Sequence, residues 1–157
     1  LEPNQISIID DRGNLLARRH RFDEARKSWE EALRLNAEQQ VRSPWPALNL
    51  GLLLTRLDRP DEAEARFRES IASDPRFPPA RYQLGIALEK KGRLTEALAE
   101  LEEAARLDPA YPEPQYALSR LYRRGGDKEK ADGALLRFQE LKREKDEKTG
   151  RSAPGLP

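Results

Sequence analysis

The chain has 157 residues, of which 36% are charged and 37% hydrophobic, with a mean hydropathy of −0.89 and a net charge of +1. It has no cysteine and one histidine, His20, which excludes a disulfide framework, a thiol nucleophile and a thiolate metal site. The near-zero charge gives no bulk attraction to nucleic acid or to a membrane surface, and no apolar run approaches the roughly 18 residues that span a bilayer. No signal segment is visible either, so the cytoplasm is the default compartment.

Taken in chain order, the sequence divides into similar units. Leu1-Glu2-Pro3 has the form of Leu107-Asp108-Pro109, which closes a later unit. Residues 1–5 are therefore expected to end a truncated preceding repeat. Residues 6–39 hold Gly13, Leu16, His20, Ala25, Trp29 and Ala32. Four extra residues, 40–43, are expected to lie between this unit and the next. Residues 44–77 and 78–111 align without a gap, and residues 112–148 continue the frame through Leu118, Ser119, Tyr122, Gly126, Ala131 and Leu135. Ala63, Ala97 and Ala131 stand 34 residues apart, as do Leu50, Leu84 and Leu118, and Gly51, Gly85 and Ser119. A fixed period in this range means stacked supersecondary units rather than one irregular core.

Within each unit the apolar residues recur three and four apart, as Leu94, Ala97, Leu98, Leu101, Ala104 and Ala105 do, which predicts one buried helix stripe. Small residues at Gly51, Gly85, Ala63 and Ala97 fall where two helices approach closely. A turn is expected between paired helices, with Gly92 and Gly126 suited to a left-handed backbone and His20 and Asp58 in the same slot. Prolines at 75, 78, 79, 109, 112 and 114 end one unit and open the next. Residues 127–148 read as a long last helix, polar all round over Lys142–Lys148, that solvates the end of the stack. Residues 149–157 read as a flexible tail.

This pattern resembles the tetratricopeptide repeat, a helix–turn–helix unit of 34 residues. Unit one departs from the family pattern at Arg12, where leucine is usual, and at Ala37, where proline is usual. Unit four departs at Phe138, where a small residue is usual. The resemblance implies an all-α fold: four helix pairs in a right-handed superhelical stack, or α-solenoid, with an extended C-terminal capping helix. It also implies that the first helix of each unit lines a concave groove. The groove slots map onto Asn14, Leu48, Asn49, Leu52, Tyr82, Gln83, Ile86, Tyr116, Arg120 and Arg123. Further groove slots map onto Asp10, Ala17, Trp45, Thr55, Glu89 and Glu113; Trp45 sits between two prolines at a helix entry and is expected to pack on the extra segment instead.

No catalytic constellation is present, and neither a cofactor nor a metal ion is expected. Asp10-Asp11 could serve as paired acids, or simply stand at the solvated start of a helix. Arg123-Arg124-Gly125-Gly126 follows no strand and reads as a basic helix end rather than a phosphate loop. Asn14 and Asn49 match two slots of the family's chaperone-tail clamp, but its three cationic slots hold Asp10, Pro79 and Gln83, which removes the charge-assisted bonds such a clamp needs. The groove slots instead suggest an apolar or aromatic anchor with an acidic flank near Arg120 and Arg123. The expected function is a non-catalytic scaffold that binds a peptide segment or partner protein, as a monomer or with weak self-association, and without nucleic acid or a membrane span. A regulatory or substrate-recruiting segment of a larger enzyme and a self-association module are the alternatives.

Overall fold

The computed structural model describes residues 4–149, so Leu1-Glu2-Pro3 and most of the expected tail lie outside the described residues. Among the described residues there are eight helices and no strand: α1 (Asn4–Arg18), α2 (Phe22–Gln39), α3 (Trp45–Arg56), α4 (Pro60–Ser73), α5 (Pro78–Lys90), α6 (Leu94–Leu107), α7 (Pro112–Arg124) and α8 (Lys128–Lys148). They pair as α1–α2, α3–α4, α5–α6 and α7–α8, and each pair packs on the next. The protein is an all-α solenoid of helical repeats.

The turn inside each pair has one geometry. His20, Asp58, Gly92 and Gly126 all have positive φ, at 59°, 57°, 75° and 84°. The residue after each one donates its N–H back to a carbonyl of the first helix: Arg21 to Leu16, Arg59 to Leu54, Arg93 to Leu88 and Asp127 to Tyr122, at 2.9–3.0 Å. This six-to-one bond satisfies a helix-end carbonyl that the helix itself leaves open. The turn between units repeats as well. Asp74 accepts from the Arg76 N–H at 2.9 Å and Asp108 from the Ala110 N–H at 3.0 Å, each aspartate closing a short loop over its own backbone.

The seam follows the columns of the sequence. Ala25, Ala63, Ala97 and Ala131 are all buried. A Cβ placed on Gly51 would sit 2.5 Å from the Phe67 ring, and one on Gly85 would sit 2.6 Å from Leu101. Each small residue of a first helix thus receives the large side chain of its partner. The extra length of the first unit sits in α2, which has 18 residues against 14 in α4 and α6; residues 40–44 then form the link to α3. Gln40 takes a left-handed conformation there and ends the helix, and Asn36 ties the link down by donating to the Ser43 carbonyl at 2.8 Å.

Arg12 occupies the slot that Leu50, Leu84 and Leu118 fill with buried leucine. It is exposed and bonds Ser28 at 3.0 Å and Glu31 at 2.7 Å. Among the described residues no helix pair covers it, so a charged side chain there costs no desolvation.

The stack has a direction of curvature. Helices α1, α3, α5 and α7 touch one another in sequence, whereas α2, α4, α6 and α8 touch only across their own and adjacent pairs. The first helices are therefore drawn together along the inner, concave face.

Candidate functional site

The inner face carries two cavities built from equivalent slots of successive units. The first, about 320 Å³, lies between α1, α2 and α3 and is lined by Ala17, Phe22, Trp29, Leu52 and Leu53, with Asn14, Asn49, Arg18 and Arg56 at its polar edge. The second, about 70 Å³, lies between α3, α4 and α5 and uses Thr55, Pro60, Phe67, Gln83, Ile86 and Lys90. Further along, the slots of Thr55 and Ile86 hold Glu89 and Arg120, which form an ion pair at 2.6 Å across α5 and α7. The groove is thus widest and most apolar at its first unit and bridged by charge at its last.

The sequence-derived slots do not all reach this surface. Leu52 is 38% exposed and Tyr116 46%. Gln83 and Ile86 are half-buried and line the second cavity. Tyr82 is half-buried and meets Tyr111 edge to face at 5.5 Å. Tyr116 packs on Phe138 at 5.1 Å and lies under the Arg120 guanidinium at 5.5 Å. Leu48 is a correction: it is only 4% exposed and belongs to the core with Trp29, Leu50 and Leu53, so it does not line an open groove. The residue one turn on, Leu52, does. Trp45 also differs from its expected packing on the extra segment: it stands edge to face with Phe77, 4.8 Å away at the opposite end of its unit.

Asp10 is a second correction. It is not at a solvated helix start but buried in the middle of α1. Its carboxylate accepts from Asn49 at 2.9 Å and from Asn14 at 3.3 Å. Burial pushes its carboxyl up from the ordinary range, and the two asparagine bonds offset only part of that. Asn14, Asp10 and Asn49 therefore form a strap from α1 to α3, with both asparagines at the polar edge of the first cavity. Sequence reasoning assigned both asparagines to the groove but missed what joins them. The signal was a carboxylate one turn before Asn14 on the same face.

The cationic slots also come out differently. Arg120 is engaged by Glu89, and Arg123 faces Asp132 at 3.5 Å. The expected acidic flank of a ligand would have to compete with these internal pairs. His20 is exposed, holds the left-handed turn and meets Phe22 edge on at 5.7 Å. Among the described residues no group of three or more His, Asp or Glu side chains is placed to hold a metal ion, and no helix is long and apolar enough to cross a membrane.

Three family models described as tetratricopeptide repeat match the chain, over residues 5–76, 48–112 and 88–144. Among curated proteins none matches the sequence significantly. Several solved structures share the fold. A crystal structure of MamA is 18% identical, with a TM-score of 0.77, over 93% of this chain and 83% of that one. MamA from Desulfovibrio magneticus is 21% identical, with a TM-score of 0.73, over 92% and 79%. YrrB, described as a TPR protein with an unusual peptide-binding site, is 23% identical, with a TM-score of 0.69, over 87% and 69%. With the repeated turn, the alanine seam and family matches that jointly run from residue 5 to residue 144, the chain belongs to the tetratricopeptide-repeat family.

Proposed function

We propose that this protein is a non-catalytic scaffold that holds an extended segment of a partner protein along its inner face. The observation that carries the reading is the first cavity. It is a solvent-facing hollow of about 320 Å³ with a mostly apolar lining. Exposed apolar surface rimmed by polar groups is characteristic of interaction sites. Beyond it on the same face lie the second cavity, at Gln83 and Ile86, and the exposed ring of Tyr116. The peptide-binding site of YrrB, a structural neighbour, supports the same use of the fold. In this reading Leu52, Gln83, Ile86, Tyr82 and Tyr116 supply contact area, and Asn14 and Asn49 supply polar groups already fixed by Asp10.

The test is affinity capture from the source lysate with the intact chain, wild type beside Leu52→Asp/Tyr116→Ala. Both positions are exposed, so the variant should keep the helical circular dichroism of the wild type. Partners bound by the wild type and lost by the folded variant are expected. Equal capture by both proteins would move the binding surface off the inner face.

A further inference from the structure

Two columns of cations run along this stack, and they differ in one respect. The first follows the left-handed turn: Arg21, Arg59 and Arg93. Each is neutralised by a glutamate three residues on, Glu24, Glu62 and Glu96, at 2.5–2.6 Å. The second ends each inner helix: Arg18, Arg56, Lys90 and Arg124. All four are exposed. Among the described residues none of the four forms an ion pair, although 28 acidic residues are available in the chain. The helix dipole accounts for a cation in a last turn. It does not account for the lack of an ion pair at all four positions.

Two of these cations stand at the edge of the first cavity. Arg18 and Arg56 line it together with apolar side chains, and no carboxylate lines it. Asp10, which binds Asn14 and Asn49 of the lining, is buried and already accepts from both. The Arg56 guanidinium lies over the Phe22 ring at 4.9 Å, which holds it at the rim instead of leaving it free in solvent. The second cavity has Lys90 at its edge but also Asp58, so its charge is mixed.

We infer that the first cavity takes a large apolar side chain from an acidic peptide segment, with flanking carboxylates held by Arg18 and Arg56 and the rest of the segment led along Lys90 and Arg124. This rests on the groove reading above and replaces Arg120 and Arg123 as the acceptors of ligand charge. A peptide is favoured over a polynucleotide. The net charge is only +1, and Trp29, the largest aromatic at the cavity, is buried within its wall rather than offered as a face for base stacking.

The experiment is selection of short random peptides on the immobilised full chain, followed by fluorescence anisotropy of the enriched peptides on wild type, Arg18→Glu/Arg56→Glu, Leu52→Asp and the control Arg19→Glu/Lys27→Glu. Enriched peptides are expected to carry one large apolar residue flanked by Asp or Glu. Their affinity should fall about tenfold or more in Arg18→Glu/Arg56→Glu, stay unchanged in the control, and weaken steadily with added salt on the wild type. The salt titration needs no variant, so a misfolded variant would not rescue the proposal. Enrichment of neutral or basic peptides that are lost in Leu52→Asp would overturn the acidic occupant and leave the groove reading standing. An equal loss in the control would reduce the effect to bulk charge and overturn the site. No enrichment, or peptides indifferent to every substitution, would remove both readings. Tighter binding of a single-stranded oligothymidine than of any enriched peptide would overturn the peptide as occupant.

Discussion

Gly85 and Gly133 are both helical, yet the same substitution should move stability in opposite directions. A Cβ on Gly85 would lie 2.6 Å from Leu101 Cγ and 3.3 Å from the Ala97 carbonyl oxygen, a backbone atom that cannot swing aside. Overpacking of this kind typically costs 1–3 kcal/mol. It outweighs the roughly 0.5–1 kcal/mol that alanine gains over glycine within a helix. Gly85→Ala should therefore lower stability by about 1 kcal/mol. A Cβ on Gly133 meets nothing within 4 Å, so Gly133→Ala should raise stability by about 0.5–1 kcal/mol. Thermal unfolding followed by circular dichroism checks both signs. A stable Gly85→Ala would mean that the helices of the third unit are not held at the described distance. The same scale shows where the sequence was readable. The glycine and alanine columns were legible because close approach tolerates few side chains. Leu48 and Leu52 were not separable, because they lie one turn apart on the same stripe and only the neighbouring unit decides which of them is covered.

At the scale of elements, the units are joined by more than apolar contact. Glu64 on α4 accepts from Lys91 at the end of the α5 segment at 2.6 Å, from Arg93 before α6 at 2.7 Å and from Arg68 on its own helix at 3.0 Å. Burial pushes the Glu64 carboxyl up, but the three hydrogen bonds together outweigh it and hold it at about 2, against an ordinary 4.5. A depressed carboxyl contributes stability that is present above its unfolded value and lost as pH falls toward its folded one. Glu64→Gln should therefore unfold at lower urea than the wild type at about pH 7, with the gap closing as pH drops from about 5 to about 2. A gap that stayed constant through this window would mean the cluster is not ionised as described. Such clusters were not legible in the sequence: Glu64 and Lys91 are 27 residues apart, and Glu89 and Arg120 are 31 apart. The repeat brings near-unit separations together, but the frame alone does not say which charged side chains meet. The pairing of Arg120 with Glu89 arises in this way.

For the whole molecule, the sequence carried the solenoid, because every column that sets the frame is a packing constraint repeated in successive units. It carried the groove less completely. The frame names the inner slots, but whether a slot faces solvent depends on its neighbours, as buried Leu48, strapped Asp10 and paired Arg120 show. The cation column of Arg18, Arg56, Lys90 and Arg124 was missed in the sequence, although it keeps the repeat frame; that its members end the inner helices and form no ion pair among the described residues became visible only with the fold. The central claim is that the inner face holds the partner. The most direct measurement is amide chemical-shift mapping of the isotope-labelled chain, titrated with the partner that it captures. The account predicts the largest shifts at Ala17, Leu52, Arg56, Gln83 and Ile86 on α1, α3 and α5. Shifts concentrated on the outward faces of α2, α4 and α6, with these residues unmoved, would contradict it.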